Sequence, residues 1–182
     1  MPVLFLDRDG VIVKFPGRGK YVTRAPQMRL IGRSAEAVAL LTRAGYEIHV
    51  VSNQGCVSRG LLSAARLAEF TRHMLAEIRK AGGRIRKVHY CPHQSSDGCA
   101  CKKPGTLLLK RALKGRRMER RKIYFIGDSA EDIGAGKSFG CRTVLVLSGR
   151  NKKADVRTLG IRPDHVMKNL WEAALWLTRK KS

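Results

Sequence analysis

The 182-residue chain is 43% hydrophobic, long enough for one domain to bury a core and too apolar for a disordered segment. No apolar run approaches the roughly 20 residues of a membrane span. The start, MPVLFLDRDG, lacks the basic stretch and cleavage site of a secretory signal, so a cytoplasmic protein without membrane association is expected. The 37 Lys and Arg against 14 Asp and Glu leave a formal charge of +23, a field that draws phosphorylated metabolites, nucleic acid or other polyanions.

Residues 3–6 (VLFL) form the first short apolar run and predict a buried strand. Helical spacing follows over 34–43, with Gly45 as a stop signal, and then a second strand over 48–51. The stretch 63–81 is helical and ends at Gly82 and Gly83, just before a third strand over 88–90. A helix over 106–113 leads to a strand over 123–126. A helix over 131–139, stopped by Gly140, leads to a strand over 143–147, and a last helix covers 170–178. The basic tail, 179–182, is expected to fray. Strands alternating with helices argue for an α/β fold on a parallel sheet, and no repeat or linker divides residues 1–182.

In open parallel sheets, ligands bind beyond the carboxyl ends of the strands. Four such ends carry polar groups: Asp7-Arg8-Asp9-Gly10, Ser52-Asn53-Gln54-Gly55, Cys91-Pro92-His93 and Gly127-Asp128-Ser129. Asp7 can attack phosphorus to form an aspartyl-phosphate. Asp9 can protonate the leaving oxygen and then deprotonate the incoming water. Asp7, Asp9 and Asp128 cannot crowd together ionised without a cation, and as hard oxygen ligands they suit Mg²⁺. Ser52 and the backbone amides of Asn53, Gln54 and Gly55 can bind phosphate oxygens, and Lys103 can supply a fixed positive charge. An Asp pair at one strand end could merely cap a loop; the convergence of four segments argues against that.

The chain has five cysteines, of which Cys91, Cys99 and Cys101 fall close to His93. The run C-P-H-x5-C-x-C offers one imidazole and three thiolates, the closed tetrahedral set of structural Zn²⁺. Such an ion would pin the irregular SSDGCACKK stretch and so place Lys102 and Lys103 at the rim. Cys56 and Cys141 stand alone and read as small buried residues.

FLDRDGV, VVSNQG, the KKP at 102–104 and FIGDSAED together resemble the four ordered motifs of the haloacid dehalogenase superfamily. The resemblance covers nearly the whole chain. It implies a Rossmann-like three-layer sandwich, with Asp7 as nucleophile and Asp9 as general acid and base. It also implies Ser52 and Lys103 as phosphate-binding groups, Asp128 as metal ligand and Asp132 as support for the metal site. The C-P-H…C-x-C-K-K-P run resembles the zinc-containing subgroup of heptose bisphosphate phosphatases and histidinol-phosphate phosphatases, compact enzymes without a large cap. Too few residues separate Ser52 from the third strand for a cap here. Arg59-Gly60 resembles the heptose branch and adds Arg59 to the substrate-binding candidates, with Lys102. Three features depart from that branch: Gly105-Thr106 replaces His-Pro-Gly, Ser129 replaces a lysine, and Lys102 replaces an arginine and loses its bidentate fork.

The remaining singular residues have plain structural readings. His49 reads as packed within its strand, His73 and His165 as surface, and Trp171 and Trp176 as helix packing. The basic run 114–122 reads as a solvated loop. Two functional classes follow. One is a phosphatase for a small phosphorylated metabolite; the other is a nucleic-acid-binding protein or polynucleotide-end phosphatase, which the net charge would serve. Arg43, Arg84, Arg86, Lys87 and the 114–122 run precede strands and are expected at the amino end of the sheet, where only a nonspecific polyanion could meet them. Lys14, Arg18, Lys20, Arg59, Lys102 and Lys103 follow strands and are expected on the catalytic face.

Overall fold

Val3–Leu6, all buried, forms strand β1, and its alternating side chains divide the interior. Leu4 and Leu6 join one apolar cluster while Val3 and Phe5 join a second across the sheet. A computed structural model describes residues 1–116 and 118–179 of the chain. Arg117 of the basic run, and all of the expected frayed tail except Arg179, lie outside those residues.

Five further strands flank β1: β2 (Glu47–Asn53), β3 (Lys87–Cys91), β4 (Ile123–Gly127), β5 (Arg142–Val146) and β6 (His165–Met167). They make one sheet in the order β3-β2-β1-β4-β5-β6, and every pairing is parallel. Helices α1 (Ser34–Arg43), α2 (Ala64–Lys80) and α5 (Leu170–Arg179) cover the face that holds Leu4 and Leu6. Helices α3 (Leu107–Leu113) and α4 (Ala130–Phe139) cover the other. The result is the expected three-layer α/β sandwich, and the described residues include no large cap. Among the described residues, no helix is long and apolar enough to cross a membrane.

The strand order reverses between β1 and β4. At such a reversal the connections leave in opposite directions and open a crevice at the carboxyl ends. Leu6 pairs with Ile126 across this seam, so Asp7 and Gly127 are the next residues on either side.

Two details differ from the sequence expectation. The second strand continues through Asn53, so Ser52 lies within it. Strand β6 was not expected, and His165, assigned to the surface, is half-buried with its ring 4.3 Å from that of Trp176. His49 is packed as expected, 3% exposed, and Cys56 and Cys141 are buried thiols.

Candidate active site

Three carboxylates meet at the crevice. Asp7, Asp128 and Asp132 each place an oxygen within 4.8 Å of the others, and all three are buried. The Asp7 amide donates to the Ile126 carbonyl at 3.0 Å, continuing the β1–β4 ladder one residue past the strand. The Asp128 carboxylate lies between two glycines. A Cβ on Gly10, whose φ is +89°, would come 2.2 Å from Asp128 Oδ2, and one on Gly149 would come 2.0 Å from it. Neither position has room for a side chain.

Asp132 is fixed by the start of α4. Its Oδ2 accepts from the Asp128 amide at 3.1 Å, the Ser129 amide at 3.1 Å and Ser129 Oγ at 2.6 Å. Ser129 Oγ also caps the helix by accepting from the Asp132 amide. The serine that stands in place of a lysine is therefore the cap that locks Asp132.

Lys103, 3% exposed, reaches in from the loop before α3. Its Nζ lies 2.6 Å from Asp7 Oδ1 and 2.6 Å from Asp132 Oδ1, and it donates to the Val51 carbonyl at 2.7 Å. Burial opposes its charge, but Asp132 and Asp7 overcome that and hold the ammonium protonated. Burial pushes the Asp128 carboxyl up to about 8, aided by Asp132 and Asp7. Burial likewise pushes Asp7 up to about 6 against the pull of Lys103. Three carboxylates against one lysine would leave two uncompensated negative charges when ionised.

The residues at the end of β2 divide into two groups. Ser52, Asn53 and Gly55 line the cavity with Asp7, Asp9 and Lys103. Asn53 spends its side chain on Lys103, accepting from its amide at 2.9 Å and donating to its carbonyl at 3.2 Å. Gln54 does not reach the cavity, which corrects the substrate-binding expectation for it. It is fully buried, and its amide donates to the Cys91 carbonyl at 2.7 Å. Its Nε2 donates to Asp9 Oδ2 at 2.8 Å and Ser52 Oγ at 3.1 Å.

The Asp9 carboxylate falls outside the group of three formed by Asp7, Asp128 and Asp132. It is held by Arg8, with Nε at 3.1 Å and Nη2 at 2.8 Å. Arg8 is fully buried and lies 5.7 Å from the Tyr90 ring centroid. Lys102 and Lys20 line the cavity. Arg59, expected to bind substrate, is exposed and does not line it; its guanidinium sits 5.9 Å from the ring centroid of Tyr21, which does. Nor do Lys14 and Arg18 line it.

Several lining groups escaped the sequence reading: Phe15, Pro16, Tyr21, Ser95 and Arg150. The segment after β5 is the main omission. The Arg150 amide donates to Asp128 Oδ2 at 2.6 Å, Asn151 Nδ2 to the Asp128 carbonyl at 2.6 Å, and Ser148 Oγ to the Gly10 carbonyl at 2.7 Å. The strand-end rule that singled out four segments applies equally to S-G-R-N.

Beside this cavity, Cys91, His93, Cys99 and Cys101 converge, and all three cysteines are free thiols. The sulfur pairs lie 3.3, 3.5 and 3.6 Å apart, and His93 Nδ1 is 3.2 Å from Cys101 and 3.7 Å from Cys91. A tetrahedral ion with roughly 2.3 Å bonds to sulfur needs S···S separations near ~3.8 Å. The cluster is that size and slightly contracted. Burial pushes the Cys91 thiol up to about 12, so on its own this sulfur stays protonated at neutral pH.

A family model described as HAD-hydrolase-like matches residues 100–173. A D-glycero-beta-D-manno-heptose-1,7-bisphosphate 7-phosphatase of Neisseria meningitidis is 33% identical over 84% of this chain and 81% of its own length. The enzyme of that name from Pseudomonas aeruginosa is 34% identical over 87% of this chain and 85% of its own. The chain belongs to the haloacid dehalogenase-like phosphatases. Within this family, the crystal structure of a D,D-heptose 1,7-bisphosphate phosphatase from B. bronchiseptica, complexed with magnesium and phosphate, superposes with a TM-score of 0.91. It is 28% identical, and the match covers 99% of both chains.

Proposed function

We propose that this phosphatase is magnesium-dependent and acts on a phosphorylated sugar of the D-glycero-D-manno-heptose 1,7-bisphosphate type through covalent attack by Asp7. The observation that carries the reading is the charge count at the crevice: Asp7, Asp128 and Asp132 against Lys103 leave a deficit that one divalent cation cancels. Asp7 and Asp128 would hold Mg²⁺, with Asp132 kept behind them by Lys103 and Ser129. When bound, the ion supplies charge neutralisation and orientation of the phosphoryl oxygens.

The chain's own groups do the rest. Asp7 attacks phosphorus, the bond to the leaving oxygen breaks, and an aspartyl-phosphate forms. Asp9, which lines the cavity while Arg8 and Gln54 hold its carboxyl, gives the leaving oxygen its proton. Water then attacks phosphorus, Asp9 takes a proton from it, and the bond to Asp7 breaks. Ser52 and the Lys103 ammonium bind the equatorial oxygens. Lys20, Lys102 and Arg150, around a cavity of about 220 Å³, offer charge for the rest of an anionic substrate.

The names of the relatives favour a heptose bisphosphate over histidinol phosphate. The test is phosphate release with Mg²⁺ from heptose bisphosphate, histidinol phosphate and a 3′-phosphorylated oligonucleotide. Heptose bisphosphate is expected to show the highest kcat/KM. Preference for the oligonucleotide would shift the reading to a polynucleotide-end phosphatase and give the +23 charge its purpose.

Magnesium affinity is expected to rise with pH. Metal-free Asp128, near 8, holds a proton at neutral pH that the ion must displace. The dissociation constant should fall by up to about tenfold per pH unit below 8 and level above it. Calorimetry in buffers of different ionisation enthalpy reads both the affinity and the proton released. The stability of the metal-free protein runs the opposite way with pH. Asp7 and Asp128 favour the fold below the ordinary carboxylate range and lose that contribution as pH rises to about 8. A flat affinity from pH 6 to 9 would contradict this placement of Asp128.

The second metal is proposed to be structural Zn²⁺ on Cys91, His93, Cys99 and Cys101. Protein purified without added zinc should contain about one equivalent. Cys99→Ser should lower that content and reduce kcat, because Lys103 is two residues from Cys101. Full activity in zinc-free protein would separate the cluster from catalysis. Reduced cysteines of this kind fit a cytoplasmic setting.

A further inference from the structure

The far end of the sheet carries a second hollow, about 380 Å³, larger than the catalytic one and within the roughly 300–1,000 Å³ range of small-ligand sites. Glu47 and Lys87, the first residues of β2 and β3, stand at its edge, so it lies at the amino ends of strands whose carboxyl ends form the catalytic rim. Arg86 and Lys87 approach from the start of β3, Arg111 and Lys114 from the end of α3, and Arg116 from just beyond.

Its floor is built. His49 Nε2 meets Glu47 Oε1 at 2.8 Å, and His49 Nδ1 lies 3.4 Å from His89 Nε2. Arg116 grips the same glutamate with both terminal nitrogens. These hydrogen bonds, with Arg116 foremost, hold Glu47 ionised, near 2. The one acid of the hollow is therefore already committed to Arg116 and His49. Among the described residues, Arg86, Lys87, Arg111 and Lys114 have no carboxylate partner.

Four unpaired cations around one hollow repel each other, and a binding anion relieves that repulsion. A single phosphate group carries about two negative charges, which would compensate only half of them. The cations also converge from two elements on one concavity instead of running as a stripe. We propose that this hollow is a second anion site that binds a compact polyphosphate, a linear chain of two or more phosphoryl groups. The site is separate from the catalytic carboxylates, and the inference does not depend on the substrate proposed above.

The probe is inorganic tripolyphosphate, titrated into the whole protein at physiological ionic strength. Lys87→Gln with Arg111→Gln removes two exposed cations of the hollow. Arg66→Gln with Arg72→Gln removes the same charge from the exposed face of α2. The first double variant should bind at least roughly tenfold more weakly, since charge-assisted contacts are lost. The second should change by less than about twofold, because screening limits its reach. Equal weakening in both would show a diffuse surface field and overturn the proposal. Equal affinity in all three proteins would put the ligand in the catalytic cavity, with the same consequence. A dependence on Lys87 and Arg111 that appears for a single-stranded oligonucleotide but not for tripolyphosphate would make the hollow part of a nucleic-acid surface instead.

Discussion

Asp7→Asn should reduce phosphate release by at least roughly 10⁴-fold while the protein keeps its fold and the convergence of Cys91, His93, Cys99 and Cys101. The amide is nearly the same size, so the crevice closes around it as before. Lys103 keeps Asp132 as a partner at 2.6 Å, so no buried ammonium is stranded. The neutral oxygen, however, is a poor nucleophile for phosphorus, and one negative charge at the metal site disappears. Single-turnover assays with enzyme in excess over substrate and far-ultraviolet circular dichroism measure the two halves of this expectation. A variant that retains a substantial fraction of turnover would rule out attack by Asp7 and turn attention to direct attack by water.

Lys103→Met should be the most damaging single change to stability. The thioether fills much of the space of the lysine stem but leaves Asp7 and Asp132 facing each other without the ammonium between them. Removing one partner from a buried ionic cluster costs about 3–5 kcal/mol. The cost should grow as pH rises, since the raised carboxyls of Asp7 and Asp128 ionise only at higher pH. Added Mg²⁺ should recover part of the stability but not the activity. Loss of the fixed charge on the transferred phosphoryl group costs a further ~10²–10³-fold in kcat. Denaturant unfolding at two pH values, with and without Mg²⁺, separates these effects. An unchanged midpoint at high pH would show that the carboxylates are balanced by something other than Lys103.

The sequence made the rim legible because each catalytic segment follows a strand that its apolar residues announce. VLFL, then IHVV, then IYFI point to Asp7, Ser52 and Asp128 without reference to any contact. The metal cluster was legible for a similar reason: four soft or imidazole ligands at close spacing have few other uses. Direction was not legible. Nothing in D-R-D-G says that the buried arginine takes hold of Asp9, or that Gln54 turns inward to join it. Strand β6 escaped because three residues of mixed polarity at a sheet edge carry no two-residue alternation to detect. Ser148, Arg150 and Asn151 escaped because their roles are largely made by backbone groups and short polar side chains, which leave little mark on composition.

The two glycines that enclose Asp128 have a consequence for how the molecule is made. Gly10, Asp128 and Gly149 touch although the chain places them far apart. Strand β1, synthesised before the other five described strands, is central and hydrogen-bonds to both β2 and β4. A growing chain can pair β1 with β2 early, but its other edge stays open until β4 has been synthesised. Long-range parallel pairing of this kind is slow and exposes an unpaired edge while it waits. The catalytic crevice, which also needs the Arg150 amide, is thus among the last features of the nascent protein to close. Synthesis interrupted before that residue should yield chains that carry Asp7, Asp9 and Ser52 but lack the Arg150 amide that holds Asp128. Pausing or truncation late in translation should therefore affect activity far more than it affects the early β1–β2 pairing.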